Sequence, residues 1–222
     1  MKCCVAFGPL RYAVTAPEGL ALGEIDRWRA PCDGASRPVT LSADGASPRA
    51  WMREFARVVA RDAVEVDAVA AHGAAVRVAG GVVLLLAPGG TGKTTFAAGA
   101  GARSFAHNAV LVTPTPAPTA WALPFAGDAR PELDVPESAP LRAVALLERG
   151  TAPGVEWIPR SAATVMLVRS CAWDSPEEPV ARRRNMIALA LAARLPALRV
   201  WCTPRPFDLA ILDAAFMTET AR

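Results

Sequence analysis

Apolar residues follow two rhythms along this chain, one of period two and one of period near 3.6. Residues 3–15 alternate loosely through Val5, Phe7, Leu10, Tyr12 and Val14, which predicts one or two strands. Residues 16–50 lose the rhythm and are richer in Gly, Pro, Ser and Asp, with only 38–41 reading as strand. From 51 to 63 the spacing is helical. Trp51, Phe55, Val58 and Val59 share one face, and Arg53, Glu54, Arg57 and Arg61 lie opposite. Residues 64–69 alternate as a short strand. Residues 74–78 and 82–86, joined by Gly80-Gly81, predict a β-hairpin. A helix over about 94–103 follows, then an almost wholly apolar stretch, 109–113, of the kind buried on both faces.

Pro114 to Pro118 interrupt the pattern. Residues 121–128 read as a strand end plus loop, and the acidic, Pro-containing stretch 127–140 as a mobile surface loop. Strands are predicted at 141–147, 155–158 and 197–202. Helices are predicted at 160–169, 177–195 and near 207–216. The sum is an α/β chain in three parts: 1–63, small and loop-rich with strands and one helix; 64–216, the main domain with a mixed central sheet; and a tail, 217–222. The runs 82–86 and 109–112 are expected side by side, with 82–86 in the middle of the sheet.

The apolar run 82–86 leads into Ala87-Pro88-Gly89-Gly90-Thr91-Gly92-Lys93-Thr94-Thr95. Strand, Gly-rich turn, Lys-Thr and helix is the order of a phosphate-binding P-loop. Gly89, Gly90 and Gly92 lack a Cβ, so their N–H groups can close on phosphate oxygens. The helix start adds a positive dipole end. Lys93 adds a full charge, and Thr94 offers a hydroxyl to Mg²⁺. The first Gly of the usual pattern is replaced by Ala87, which tolerates most backbone conformations but not a left-handed one without cost. The plain alternative is a Gly-rich turn between a buried strand and a helix. Of 24 basic residues only Lys2 and Lys93 are Lys. An Arg-biased chain thus keeps its one interior Lys where a compact point charge is wanted.

Composition narrows the picture further. A net charge of +3 does not suggest nucleic acid, and 182–184, three consecutive Arg, read as a solvated helix face with phosphate or acidic-peptide contact as the alternative. The five Cys (3, 4, 32, 171 and 202) fit no zinc spacing and are read as free thiols in a reducing compartment, which makes cytoplasm the expectation. No stretch reaches the eighteen or so apolar residues of a membrane span.

The succession of His72-Gly73, hairpin, Gly-rich loop, short helix and strand resembles the HPr kinase group and its smaller relatives, which include kinase-like proteins of ribosomal-peptide biosynthesis clusters. The resemblance continues through 124–127, through 146–150 to 157–159 as the family's paired strands, and through 188–200 as its closing helix and strand. It covers roughly residues 64–216. It implies an HPr-kinase-like P-loop domain, ATP or ADP with Mg²⁺ as cofactor, and a peptide or small protein as partner. Position by position it assigns Pro88, Gly89, Gly90, Thr91, Gly92, Lys93, Thr94 and Thr95 to nucleotide binding and His72 to catalysis. The family then carries two neighbouring carboxylates just before the next strand, one taking the substrate proton and one supporting the metal.

Here those two places hold His107 and Asn108. No Asp or Glu occurs between Asp67 and Asp128, the stretch containing the loop and the two strands expected beside it. His107 could act as a base, with hydrogen-bonded structural His as the plain alternative, and Asn108 could hold a metal-bound water. Trp121 and Trp173 are core or edge packing, or platforms for adenine or a peptide. Three readings follow. One is a degenerate nucleotide-binding protein serving as an accessory or partner-binding component, for example in peptide natural-product maturation. The second is an active ATP-dependent kinase for a serine of a peptide or small protein. The third is an interaction subunit that binds no nucleotide.

Overall fold

The structure, a computed structural model, describes residues 2–17, 23–41, 50–125, 137–171, 178–203 and 207–219. The N-terminal alternation becomes a small sheet. Strands β1 (Lys2–Phe7) and β2 (Leu10–Thr15) form a hairpin, and β3 (Arg37–Thr40) joins β2 in parallel. A 3-10 turn, Gly23–Trp28, brings the following coil back to β1, where Ala30 N–H donates to the Cys4 carbonyl at 2.9 Å. There Cys4 and Cys32 form a disulfide, with Cα atoms 5.3 Å apart. The expectation of five free thiols is corrected: Cys3, Cys171 and Cys202 are free and the other two are bonded. The sequence hid this because the partners are 28 residues apart and meet only through the fold.

Helix α1 (Ala50–Ala63) buries Trp51, Phe55 and Val59, as its spacing predicts. It covers the small sheet. Their shared core includes Ala70, Leu111, Leu123 and Phe125 of the main domain, so the N-terminal part packs on one side of that domain. Phe55 sits at its centre, 5.2 Å from the Tyr12 ring, 5.6 Å from Phe7 and 5.7 Å from Phe125, in the tilted and edge-on geometries aromatic pairs prefer.

The expected strand at 64–69 is mostly absent. Residues Val64–Val66 form a 3-10 turn closed by Asp67 at φ 53°, and β4 (Val69–His72) begins only after it. The end of α1 dictates this, since Ala68 N–H donates to the Ala63 carbonyl at 2.8 Å. Strands β5 (Ala74–Val78) and β6 (Gly81–Leu86) form the expected hairpin. Helix α2 (Lys93–Gly99) is shorter than predicted; a 3-10 turn, Gly101–Arg103, replaces its last turn, with Gly101 at φ 56°. Then come β7 (Ser104–Ala106), β8 (Ala109–Thr113), β9 (Thr119–Ala122) and the twelve-residue β10 (Ser138–Arg149). The chain continues through β11 (Gly154–Ile158), α3 (Arg160–Ser170), α4 (Glu178–Arg194), β12 (Ala197–Cys202) and α5 (Leu209–Glu219).

The architecture is mixed α/β, with a mixed sheet in the order β4-β8-β9-β10-β6-β5-β7. Strand β12 pairs with β10 in parallel, and β11 lies antiparallel on β12. The runs 82–86 and 109–112 are both buried, but they are not neighbours; β9 and β10 stand between them. The long β10 causes this. Its first three residues pair with β9, its middle runs parallel to β6, and its end pairs with β12. Likewise 146–150 and 155–158 are not paired directly, because β12 separates them. Helices α3 and α4 bury Ala163, Leu167, Ala188 and Leu191 with one side of the sheet, and α2 and α5 bury Phe96, Ala97, Leu212 and Phe216 with the other. Of the predicted loop 127–140, residues 138–140 are strand and residues 127–136 lie outside the described residues. Among the described residues no helix is long and apolar enough to cross a membrane.

Candidate functional site

The Gly-rich turn leaves the buried strand β6 at Ala87 and ends where α2 starts at Lys93. Gly90 and Gly92 have φ of 76° and 107°, the left-handed region that a side chain disfavours. Ala87 has no positive φ, since Asp67 is the only such non-Gly residue described; the Gly-to-Ala departure therefore leaves the backbone unstrained. One carbonyl organises the turn. Pro88 O accepts from Thr91 Oγ1 at 2.9 Å, from Thr91 N–H at 3.4 Å and from Lys93 Nζ at 3.3 Å.

Lys93 is 7% exposed. Its ammonium donates to Ala87 O at 2.9 Å as well as to Pro88 O. Both partners are neutral carbonyls, and burial lowers the Lys93 pKa below its ordinary value. A desolvated cation held by neutral groups, beside backbone that a Cβ could occupy without contact at Gly89, Gly90 and Gly92, suits an anion. Helix α2 has only seven residues and no side-chain cap at Gly92. Its dipole is correspondingly small, so loop amides and Lys93 carry the attraction.

Two clefts flank the loop. The larger, about 620 Å³, is lined by Thr91, Gly92, Thr95, Phe96, Arg149 and Phe207 among others. The smaller, about 450 Å³, is lined by Pro88, Gly89, Gly90, Thr91, Leu147, Glu148 and Arg149. Glu148 and Arg149 are the residues that the sequence reading missed. They end β10, which runs parallel to β6 with Leu146 opposite Leu86, so they arrive beside the loop about sixty positions downstream of it. The signal was present as the apolar run 143–147 ending in an acid, but it has meaning only once β10 is known to neighbour β6. Arg149 Nη2 donates to Gly90 O at 2.8 Å. The acid-free stretch from 68 to 127 is therefore correct as sequence, yet it does not describe the strands beside the loop.

His72 ends β4 with an exposed edge. Its pKa is lowered, first by desolvation and then by the Lys93 charge. His107 does not face solvent. It is fully buried, and its Nε2 lies 3.1 Å from Ser104 Oγ in the turn between β7 and β8, the hydrogen-bonded structural alternative. Asn108 also serves the frame: its Nδ2 donates to Phe125 O at 2.7 Å, and its backbone carbonyl accepts from Gly73 N–H at 3.0 Å. Gly73 permits that corner between β4 and β5, because a Cβ there would meet Leu84 Cδ1 and Leu85 O at 2.9 Å. Thr94 is half-buried at the loop. Trp121 lies away from it, its ring against Gly8 in a separate cleft of about 270 Å³ with Arg27 and Arg29; Trp173 lies outside the described residues. Arg182 and Arg183 are exposed on α4, and Arg183 pairs with Asp67 at 2.8 Å.

Among the described residues no group of three or more His, Cys, Asp or Glu could hold a metal ion alone. A Mg²⁺ ion does not require one; it is commonly held by one or two carboxylates together with substrate phosphates and waters. Thr94 follows Lys93 at the start of α2, and Glu148 lines the smaller cleft; the two are not lining residues of one cleft.

Residues 48–203 match the model of the family described as SynChlorMet cassette protein ScmC. The matched segment takes in α1, the Gly-rich loop and every strand from β4 to β12 and leaves out the small N-terminal sheet. No curated protein matches the chain.

Proposed function

We propose that this chain, which belongs to the SynChlorMet cassette protein ScmC family, is an HPr-kinase-like P-loop protein that binds ATP or ADP with Mg²⁺ and serves as an accessory, partner-binding component. The observation that carries this reading is Lys93: a desolvated ammonium whose hydrogen-bond partners among the described residues are the neutral Ala87 and Pro88 carbonyls, at the end of a Gly-rich turn that follows a buried strand. In this reading Gly89, Gly90, Gly92 and Thr95 offer backbone amides and Thr94 its hydroxyl, while Thr91 and the Pro88 carbonyl hold the turn together. The larger cleft has room for the rest of a nucleotide, since ligand sites commonly span some 300–1,000 Å³.

The partner in this reading is a peptide or small protein, as the family resemblance implies. Nucleotide is a cytoplasmic ligand, and we place the protein there; the Cys4–Cys32 bond is then an exception to the usual state of cytoplasmic thiols. Bound nucleotide would supply either a switchable ligand or a transferable phosphoryl group.

A second reading, an active serine kinase, is favoured by His72, whose proton affinity is lowered toward the neutral, base-competent form by desolvation and then by the Lys93 charge. Thermal unfolding tests the first reading. Millimolar ATP or ADP with Mg²⁺ should raise the Tm of the wild type, and Lys93→Ala should lose most of that rise. Absence of any shift in the wild type would leave the interaction-subunit reading in its place. Transfer of labelled phosphate to a candidate peptide, lost in His72→Ala, would establish the second reading.

A further inference from the structure

The cleft at Trp121 has no part in nucleotide binding. It shares no lining residue with either cleft at the Gly-rich loop. One wall is Trp121 and Ala122 of β9 with Glu137, just before β10. The other is the β1–β2 turn at Phe7 and Gly8, with Arg27, Trp28 and Arg29. The first wall belongs to the matched family segment, and the second to the N-terminal part outside it. The junction is closely fitted. Gly8 stands at φ 59°, and a Cβ there would meet the Trp121 ring at 2.7 Å, so glycine is what lets the turn approach the indole. Trp28 Nε1 donates to Ala122 O at 3.3 Å across the junction. Arg29 is fixed twice: its backbone bridges to Val5, and its guanidinium lies 2.8 Å from Asp26. The Cys4–Cys32 bond fastens the coil that follows it to β1.

The charge and size of this cleft select its occupant. Two Arg line it against one carboxylate, Glu137, and that one is paired with Arg77. Arg27 and Arg29 are exposed, and Trp121 is half-buried between them and the turn. Guanidinium groups recognise carboxylates through two parallel hydrogen bonds, and Trp and Arg are the residues that dominate binding hot spots. A volume of about 270 Å³ is less than whole small-molecule ligands commonly occupy and suits one or two side chains. We propose that this cleft docks an acidic segment of the peptide partner, with a Glu or Asp carboxylate at Arg27 and Arg29 and the neighbouring apolar side chain on the Trp121 ring. This assignment rests on the peptide-partner reading above and needs no nucleotide.

Proton–nitrogen correlation spectra of the full chain test it, because they report each indole N–H, and Trp121→Phe identifies the signal of Trp121. The probes are the blocked peptides acetyl-Glu-Leu-Glu-amide, acetyl-Gln-Leu-Gln-amide and acetyl-Lys-Leu-Lys-amide. The Glu peptide should move the Trp121 signal with a Kd on the order of 1 mM when titrated to about 10 mM. The Gln and Lys peptides should leave it in place. Arg27→Gln and Arg29→Gln should each weaken the Glu peptide by about threefold, the effect of one exposed charge contact, and the double variant should lose the response. Lys93→Ala should keep it in full. Equal responses to the three peptides overturn the site, as does a response to the Glu peptide that survives the double substitution. A Glu peptide that moves other signals and leaves Trp121 in place also overturns the site, while the peptide-partner reading stands. Three peptides that move no signal anywhere overturn both.

Discussion

Arg149, the last residue of β10, donates from Nη2 to the carbonyl of Gly90 at 2.8 Å, tying one strand end to the middle of the Gly-rich loop. Gly90 itself sits at φ 76°, with nothing within 4 Å of where a Cβ would stand, and this hydrogen bond restrains its carbonyl. Arg149→Ala should weaken ADP binding by about fivefold, equivalent to about 1 kcal/mol. Because Arg149 is exposed, the Tm should fall by no more than about 2 °C. Unchanged ADP affinity would mean that the contact does not organise the loop.

The His72 imidazole should titrate below the ordinary value of about 6.5, because desolvation and then the Lys93 charge disfavour its cation. The chain has two histidines, so NMR of the imidazole protons can follow it. Lys93→Ala should move the midpoint upward part of the way, leaving the larger desolvation effect in place. The unfolded chain binds this proton at higher pH than the folded one does, so stability rises with pH across that interval. The contribution is fully present above about pH 6.5 and is lost as pH falls through the folded value. A midpoint unaffected by Lys93→Ala would separate the two residues.

Thiol chemistry reports on the N-terminal part. Without reductant, the unfolded chain should show three reactive thiols of its five. In the folded protein Cys202 should react first, because Cys3 and Cys171 are buried and burial pushes the Cys171 thiol up to about 12. Cys32→Ser opens a loop of 28 residues and should cost about 3–4 kcal/mol of stability by the chain-entropy relation. Five reactive thiols in the unfolded, unreduced chain would contradict the pairing.

Elements that depend on local pattern were readable from the sequence. The spacing of Trp51, Phe55 and Val59 gave α1, the Gly80-Gly81 turn gave the β5–β6 hairpin, and the loop between Ala87 and Lys93 was visible from residue types alone. Relationships set by strand order were not. Periodicity cannot say that β10 rather than β8 neighbours β6, because both strands are apolar runs buried on two faces. Glu148 was missed for that reason, and His107 was placed at the site although its side chain turns into the core against Ser104. The disulfide has the same origin: Cys4 and Cys32 meet only through the fold of the segment between them.

Whether the loop holds phosphate is tested most directly by titrating ADP into the wild type and into Lys93→Ala by calorimetry. The expected result is one site per chain with a Kd between about 1 μM and 1 mM, weakened at least about tenfold by Lys93→Ala, because the substitution removes the charge that the neutral Ala87 and Pro88 carbonyls leave available. The circular dichroism spectrum of the variant should match the wild type. Equal binding by the two proteins, or no heat from the wild type at several millimolar ADP, would contradict the account.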